Sequence, residues 1–241
     1  TAFTAASTSE CNGIPITFVD QSTGSPTAWN WSFSPSTITY VNGTSASSQN
    51  PQVKFNSGGN YSVTLVSSNS SGSDSLLKSN YISVSAGSTI PFVENFESFT
   101  TGSSGTLSNG WTQTSASSYL WLVNSGGTLS GYTGPTSDHT FGSSVGKYMY
   151  SEATGGAANA IAQIVSPCID LGSASNAYLK FWYHMHGLDM GSLRVDVFNN
   201  GNWVAVHTIT GQQQVIQSDP WLQATVNLSA YIGNTIKVRF V

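Results

Sequence analysis

Apolar and polar residues alternate along most of this chain, and that pattern constrains its fold more than any other feature. The segment PITFVDQS places Ile16 and Phe18 on one face, and QVKF does the same with Val53 and Phe55. A period of two with β-branched and aromatic residues is typical of half-buried strands, and turn-forming clusters such as NSGGN and NSSGSD separate the segments. No segment sustains the 3.6-residue period of a helix. The sequence therefore predicts an all-β protein.

Residues 1–86 form the first predicted unit. Three segments carry its pattern in this order: ITFVDQSTGSPTAWNWSF, SQNPQVKFNSGGNYSVTLVSSNSSGSD and YISV. With Asp20-Gln21-Ser22, the alternating Trp29 and Trp31, and Gly59 two residues before Tyr61, this unit resembles a polycystic-kidney-disease (PKD) domain. The resemblance implies an immunoglobulin-like β-sandwich. Such domains serve mostly as spacers, some assist substrate binding, and the family implies no catalysis.

A short Gly/Ser/Pro linker at residues 87–91 precedes a second predicted unit at residues 92–241. Its segments include ENFES, TGPTSDHT, GKYMYSEA, SPCIDL and LKFWYHMHGLDMGSLRV. In these segments and their order the unit resembles a MAM domain, the extracellular jelly-roll module of meprins, neuropilins and receptor tyrosine phosphatases. It departs from the vertebrate pattern in its cysteines. The pair of units resembles the bacterial variant found in large secreted proteins, so we expect two β-sandwiches, the second a jelly roll.

The end of the chain leads to a further expectation from this resemblance. MAM domains usually continue past the strand that corresponds to KVRF, whereas this sequence stops at Val241. We expect the final strand to be absent and residues 92–96 to form a strand with an unpaired edge, which is a liability for an isolated domain. The parent polypeptide would then continue beyond Val241, or a separate strand would fill the gap.

Charge limits the partners of this chain. Charged residues make up only 7%, and the net charge is −4 with seven Lys and Arg spread singly. A chain without a basic patch is a poor partner for nucleic acid or an anionic membrane, and no apolar run is long enough to span a bilayer. Neutral polar residues supply the solubility, which suits a secreted or cell-surface protein. Since no signal peptide precedes Thr1, we expect a processed piece of a longer protein.

The two cysteines, Cys11 and Cys168, allow one disulfide at most. Nothing in the sequence brings them together, so we expect two separate, partly buried thiols and keep the disulfide as the less favoured alternative.

The sequence shows no ordered catalytic constellation. Serine is so abundant that chance pairings with histidine carry little weight, and the eleven acids are scattered, although sequence alone leaves a pair of carboxylates in space open. Because the family resemblance also argues against catalysis, we predict that the chain is not an enzyme.

A structural calcium ion is the cofactor that the resemblance suggests. Glu97 in ENFES and Asp138 in SDHT match positions that the family often keeps acidic, and carboxylates are the ligands that hard cations prefer. Glu94 and Glu152 are weaker candidates. The alternative is that Asp138 caps a turn and Glu97 accepts hydrogen bonds from backbone amides.

Candidate ligand-binding residues lie on the segment YLKFWYHMH. Its alternation puts Trp182, His184 and His186 on the face opposite to Phe181 and Tyr183, and we expect Trp182 and His184 to lie outside the main core. Aromatic rings stack on sugars or anchor protein partners. The two histidines could also share a zinc ion, but no third ligand is evident and HExxH is absent, so we favour an ordinary strand end.

These features predict non-catalytic adhesion or substrate-engaging modules of a larger secreted or cell-surface bacterial protein, with the PKD unit as spacer. The expected partner is an extracellular protein or a polysaccharide, besides further domains of the parent polypeptide. Two alternatives stay open: a carbohydrate-binding module of a polysaccharide-degrading enzyme, or the processed C-terminal region of a secreted metalloprotease. An exposed row of aromatic residues would favour sugar, and a flat apolar patch would favour protein.

Overall fold

The computed structural model describes residues 1–102, 107–114, 119–152, 157 and 159–241. The chain forms two compact units. The first contains Thr1–Ser88 with the short segments Asn199–Asn202 and Asn234–Ile236, and the second contains Thr89–Phe198, Trp203–Gly233 and Lys237–Val241. Both units are built from strands, as the sequence predicts. Among the described residues, no helix is long and apolar enough to cross a bilayer.

The first unit is a sandwich of two four-stranded sheets. Its strands are β1 (Phe3–Ala5), β2 (Ser9–Cys11), β3 (Pro15–Asp20), β4 (Ala28–Ser34), β5 (Ile38–Val41), β6 (Gln52–Phe55), β7 (Gly59–Asn69) and β8 (Gly72–Ser85). One sheet has the order β1-β3-β6-β5 and the other β2-β8-β7-β4. Strands β4 and β7 pair in antiparallel register from Ala28↔Ser68 to Ser34↔Ser62.

The core of the first unit is aromatic and confirms the predicted inward faces. Trp31 packs edge-on against Phe3 with ring centroids 5.1 Å apart, and Phe55 packs against Tyr61 at 4.6 Å. The Trp31 indole donates a 2.9 Å hydrogen bond to the Ser48 carbonyl, so its polar atom is satisfied inside the core. The other buried members include Ile16, Phe18, Phe33, Val53, Val63, Leu65, Ile82 and Val84.

Asp20 explains why Asp-Gln-Ser and the tryptophan that follows belong together in this unit. Its Oδ1 accepts hydrogen bonds from the amide of Ser22 at 3.0 Å and from the hydroxyl at 2.6 Å, and its Oδ2 accepts one from Trp29 Nε1 at 2.8 Å. Burial alone would raise the pKa of Asp20, but these hydrogen bonds outweigh it and lower the pKa. The carboxylate therefore joins the end of β3 to the start of β4.

The remaining strands are β9 (Ser88–Thr89), β10 (Thr112–Thr114), β11 (Trp121–Ser125), β12 (Lys147–Ser151), β13 (Gln163–Val165), β14 (Ile169–Asp170), β15 (Tyr178–Tyr183), β16 (Ser192–Asn199), β17 (Asn202–Thr210), β18 (Leu222–Asn227) and β19 (Thr235–Phe240). One 3-10 turn covers Ser229–Tyr231. In the largest sheet, β19 lies between β13 and β16, and β17 follows β16; β11 pairs with β12, and β15 with β18. This antiparallel arrangement confirms the all-β jelly-roll prediction for the second unit.

A charged network lies within the large sheet of the second unit. Asp196 is only 2% exposed and accepts hydrogen bonds from Arg194, at 2.7 Å and 3.1 Å, and from Arg239. The Arg239 guanidinium also lies 4.2 Å from the ring centroid of Trp203. This buried carboxylate is therefore satisfied by two guanidinium groups, as a buried charge requires.

Two expectations need correction. Residues 92–96 are not a strand: the Phe96 amide donates to Glu94 Oε1 at 2.8 Å and the Phe96 φ of 64° turns the chain away from extended geometry. Phe92 and Phe96 pack instead against the cluster around Trp111.

The expectation of two separate thiols is also wrong, because Cys11 and Cys168 are both disulfide-bonded. Whether the polypeptide continues beyond Val241 stays a prediction.

Candidate functional site

Strand β15 carries the predicted alternation into the second unit. Leu179, Phe181 and Tyr183 are half-buried, and Phe181 and Tyr183 pack against a core cluster that contains Met185. The opposite face is exposed and consists of Tyr178, Lys180 and Trp182. Trp182 is 43% exposed, so the prediction that it lies outside the core is confirmed.

A cleft of about 320 Å³ opens beside Trp182. Its walls are residues 135–139 with Gly142 on one side and residues 217–221 on the other. The imidazole of His139 stacks on the indole of Trp182, with ring centroids 3.8 Å apart and planes inclined by 18°. Two tryptophans, two prolines and several hydroxyl and amide groups therefore converge on one concave surface, which is the usual composition of a ligand site.

Hydrogen bonds from buried and half-buried groups hold the cleft walls in place. Asp138 is 1% exposed and accepts hydrogen bonds from the amides of Phe141 at 2.7 Å and Ser143 at 3.1 Å. The Trp221 indole donates to the Ser137 carbonyl at 3.0 Å, which ties the two walls to each other. The site is therefore organised before any ligand arrives, which reduces the entropy lost on binding.

Asp219 shapes the second wall. Its Oδ2 accepts hydrogen bonds from the amides of Val215 at 2.8 Å and Ile216 at 2.9 Å. These backbone hydrogen bonds lower the pKa of Asp219. The wall therefore carries a negative charge at neutral pH.

The two predicted histidines lie behind this wall and are absent from the cleft lining among the described residues. His186 Nε2 lies 3.0 Å from the Val215 carbonyl, and His184 packs edge-on against Trp221 with centroids 5.8 Å apart. Burial lowers the pKa of His184, and the neighbouring His186 lowers it further. The backbone of Asp219 opposes that shift, although neither ring nitrogen of His184 has a described partner with good hydrogen-bond geometry. Both rings support the wall, and a ligand role for them stays a prediction.

The two acids predicted to bind calcium, Glu97 and Asp138, lie against the backbone of the consecutive residues Lys147 and Gly146. Glu97 Oε1 accepts a 2.9 Å hydrogen bond from the Lys147 amide. The carboxyl group of Asp138 lies so close to Gly146 that a β-carbon there would overlap it. Sequence reasoning therefore identified two acids that lie against consecutive residues of the backbone, and their role as metal ligands stays a prediction.

The Lys147 side chain places its positive charge beside two backbone carbonyl groups. Its ammonium donates to the carbonyl oxygens of Glu97 at 2.8 Å and Phe99 at 2.7 Å. No group of three or more His, Cys, Asp or Glu side chains among the described residues is placed to hold a metal, and Glu94 is engaged by Phe96 and Asn109. Calcium binding itself stays a prediction, since these contacts do not test it.

Sequence reasoning missed His139, Gln217, Ser218 and Asp219 as members of the cleft. All four lie in irregular loops, where the sequence has no period from which the direction of a side chain could be predicted. The adjacency of Asp138 and His139 in a chain with few acids and histidines was the one available signal.

The fold defines an all-β module with a cleft beside Trp182. Comparison with protein families then identifies the chain: the model described as MAM domain, meprin/A5/mu, matches residues 95–241, and a PKD domain model matches residues 3–84. The chain belongs to the MAM-domain family and carries a PKD domain ahead of the MAM domain, in the predicted order. These domain types belong to non-catalytic extracellular binding and spacer modules of larger proteins.

Curated relatives match only part of the chain. Neuropilin-1a of Danio rerio is 37% identical over 40% of this chain, thyroid hormone-induced protein B of Xenopus laevis 36% over 44%, and neuropilin-1 of Xenopus laevis 33% over 53%. The matches span 11–15% of the length of these relatives. A solved structure of the CBM51-2 and INT domains of Clostridium perfringens ZmpB covers 86% of this chain and 36% of its own, at 12% identity and a TM-score of 0.22, too low to carry an argument.

Proposed function

We propose that this chain is an adhesion or substrate-engaging part of a larger secreted or cell-surface bacterial protein. The PKD domain acts as a spacer, and the MAM domain contacts an extracellular protein. The observation that carries the proposal is a set of exposed apolar side chains on three loops of the MAM domain. We call them the apolar tips: Tyr132, Leu188, Val215 and Ile216.

The apolar tips are strongly exposed. Leu188 is 97% exposed, Tyr132 89% and Val215 78%. Single exposed apolar residues are ordinary, but several on neighbouring loops mark interaction surfaces. The tips therefore supply the apolar contact that a protein partner would bury.

Hydrogen bonds keep the three loops together. The Gly134 amide donates to the His186 carbonyl at 2.9 Å, the Gln217 amide group donates to the Thr133 carbonyl at 3.0 Å, and His186 reaches Val215. All four tips lie within two residues of these contacts, so they project from one braced loop cluster. A braced surface loses little entropy when it binds.

The charge of this loop cluster limits which partner surfaces it can bind. Residues 126–134, 184–191 and 211–221 contain no Lys or Arg, whereas Asp189 and Asp219 are present. Such a surface complements an apolar protein patch with a basic rim and repels anionic membranes.

Adhesion of coated beads tests the proposal. Beads that carry the full chain should adhere to one another or to surfaces coated with extracellular matrix proteins, and the double variant Leu188→Ser, Val215→Ser should lose that adhesion. Leu77→Ser is the matched control, since Leu77 is an exposed leucine on the PKD domain. Adhesion that survives the double variant unchanged, or that is lost equally in the control, would exclude the apolar tips as the contact.

Polysaccharide binding is the second candidate function. It is favoured by one separate observation, namely that aromatic and neutral polar side chains share the exposed face of β15 and β18.

A further inference from the structure

We propose that the outward face of β15 and β18 binds an uncharged polysaccharide chain, and that the cleft beside Trp182 receives one of its sugar units. This site deepens the second candidate function and uses none of the apolar tips. Protein adhesion and sugar binding can therefore fail independently of each other.

Cross-strand register builds the face. The pairs Tyr178↔Asn227, Lys180↔Thr225 and Trp182↔Gln223 alternate with buried or half-buried neighbours, and all six side chains are exposed. Trp182 lies four positions after Tyr178, which places the two aromatic side chains about 13 Å apart along β15. Two aromatic rings therefore stand in a row, with Asn227, Thr225 and Gln223 beside them.

This composition matches the two surfaces of a sugar ring. The C–H face of a sugar packs on an aromatic ring, and its hydroxyls at the edge exchange hydrogen bonds with amide and hydroxyl side chains. Asn, Gln and Thr are suited to this, because each donates and accepts without a net charge. The length of the row suits an extended chain better than a single small molecule.

The cleft lies at one end of the face. Trp182 belongs to both, and the His139 imidazole stacked at 3.8 Å holds the indole in one orientation. The hydroxyl of Ser218 and the carboxylate of Asp219 also line this end, where they accept hydrogen bonds from sugar hydroxyls. A preoriented ring beside polar groups is the arrangement that gives a sugar site its specificity.

The charges select against acidic sugars. No Lys or Arg lines the cleft among the described residues, and the Asp219 carboxylate lies in its wall. Lys180 is the single cation among the six side chains of the face. A uronate or sulfate group in the cleft would meet a like charge without compensation, whereas a neutral hexose or pentose would not.

Affinity electrophoresis of the full chain tests the site. The gels contain either a panel of neutral soluble polysaccharides (xyloglucan, glucomannan, xylan and laminarin) or polygalacturonate. We expect at least one neutral polysaccharide to retard the chain, and polygalacturonate to leave its mobility unchanged. Tyr178→Ala and Trp182→Ala should each weaken the binding by about ten-fold, because each removes one stacking contact.

Leu77→Ala is the control, because it removes an exposed apolar side chain of the PKD domain that belongs neither to the face nor to the apolar tips. It should keep the wild-type retardation, and a cooperative melting transition in each protein would show that all three variants are folded. Absence of retardation by every neutral polysaccharide would overturn the inference, as would stronger retardation by polygalacturonate or wild-type binding in both face variants. If Tyr178→Ala and Trp182→Ala reduce only bead adhesion, the face belongs to the protein contact and the sugar site is excluded.

Discussion

The imidazole of His139 lies flat on the indole of Trp182, with ring centroids 3.8 Å apart. This contact joins a loop and a strand that are more than forty residues apart in sequence. The loop is fixed by the buried Asp138, and the strand presents Trp182 outward. The adjacent Asp138 and His139 therefore both help to form the cleft beside Trp182.

Removing Trp182 should cost little stability. Trp182→Ala should reduce the free energy of unfolding by well under the about 3–5 kcal/mol that a buried tryptophan costs, because 43% of its surface is already exposed. Trp31→Ala in the PKD domain, where Trp31 is 2% exposed, should show the full cost. Urea unfolding of both variants makes the comparison, and an equal loss in the two would mean that Trp182 is a core residue.

Gly146 should not tolerate a side chain. A β-carbon at this position would overlap the buried Asp138 carboxyl group, so Gly146→Ala should cost about 1–3 kcal/mol or more. Gly131→Ala is the control, since a β-carbon at Gly131 meets no atom within 4 Å. Thermal melting of the two variants should separate them, and a fully stable Gly146→Ala would contradict the placement of Asp138.

Period-two alternation predicted the strands and their faces, because a sheet that is buried on one side carries apolar residues at every second position. The inward position of Trp31 and the outward position of Trp182 both follow from this alternation. Loops have no such period, so the stacking of His139 on Trp182 and the position of Asp219 in the cleft wall could not be predicted. The strand at residues 92–96 was expected from the family resemblance, and it is wrong because the Phe96 amide donates to the Glu94 carboxylate and the chain turns there.

The candidate cation site shows the same limit. Sequence identified Glu97 and Asp138, yet it did not indicate that Lys147 supplies the positive charge between the carbonyls of Glu97 and Phe99. A lysine at the start of a strand is ordinarily a solvated surface residue, so only the packing shows its role.

Lys147 should contribute to stability through its contacts with two carbonyl groups. Lys147→Met should reduce stability by about 1.5–3 kcal/mol, because charge-assisted hydrogen bonds to two carbonyls are lost. Lys180→Met, at an exposed lysine, should stay within about 0.5 kcal/mol of the wild type.

The metal site predicted from sequence is tested by melting the protein in calcium and in chelator. Calcium should raise the melting temperature of the wild type, and Glu97→Gln or Asp138→Asn should weaken that rise. Equal melting temperatures in calcium and in chelator would exclude the site.

Acid should weaken the MAM domain through Asp196. Burial alone would raise the pKa of this carboxyl group, but hydrogen bonds and charges from Arg194 and Arg239 outweigh it and lower the pKa. A group with a lowered pKa stabilises the fold above its usual value of 3.8 and loses that contribution as the pH falls through the folded pKa. The free energy of unfolding should therefore decrease below pH 3.8.

Asp196→Asn tests this assignment. At neutral pH the variant should lose stability at or below the low end of the about 3–5 kcal/mol for a broken buried pair, since Arg194 is 43% exposed. Its stability should also fall less steeply in acid than that of the wild type. Parallel pH profiles for the two proteins would assign the acid sensitivity to other carboxylates.

The central claim is that this chain engages an extracellular ligand without chemically changing it, and one measurement tests both halves. The full chain is incubated with immobilised extracellular proteins and with neutral polysaccharides, and the same samples are measured for retained chain and for newly released amines or reducing ends. The account predicts saturable retention that the Leu188→Ser, Val215→Ser variant or the Trp182→Ala variant reduces, with no release above the blank. Sustained release that a single substitution abolishes would contradict it.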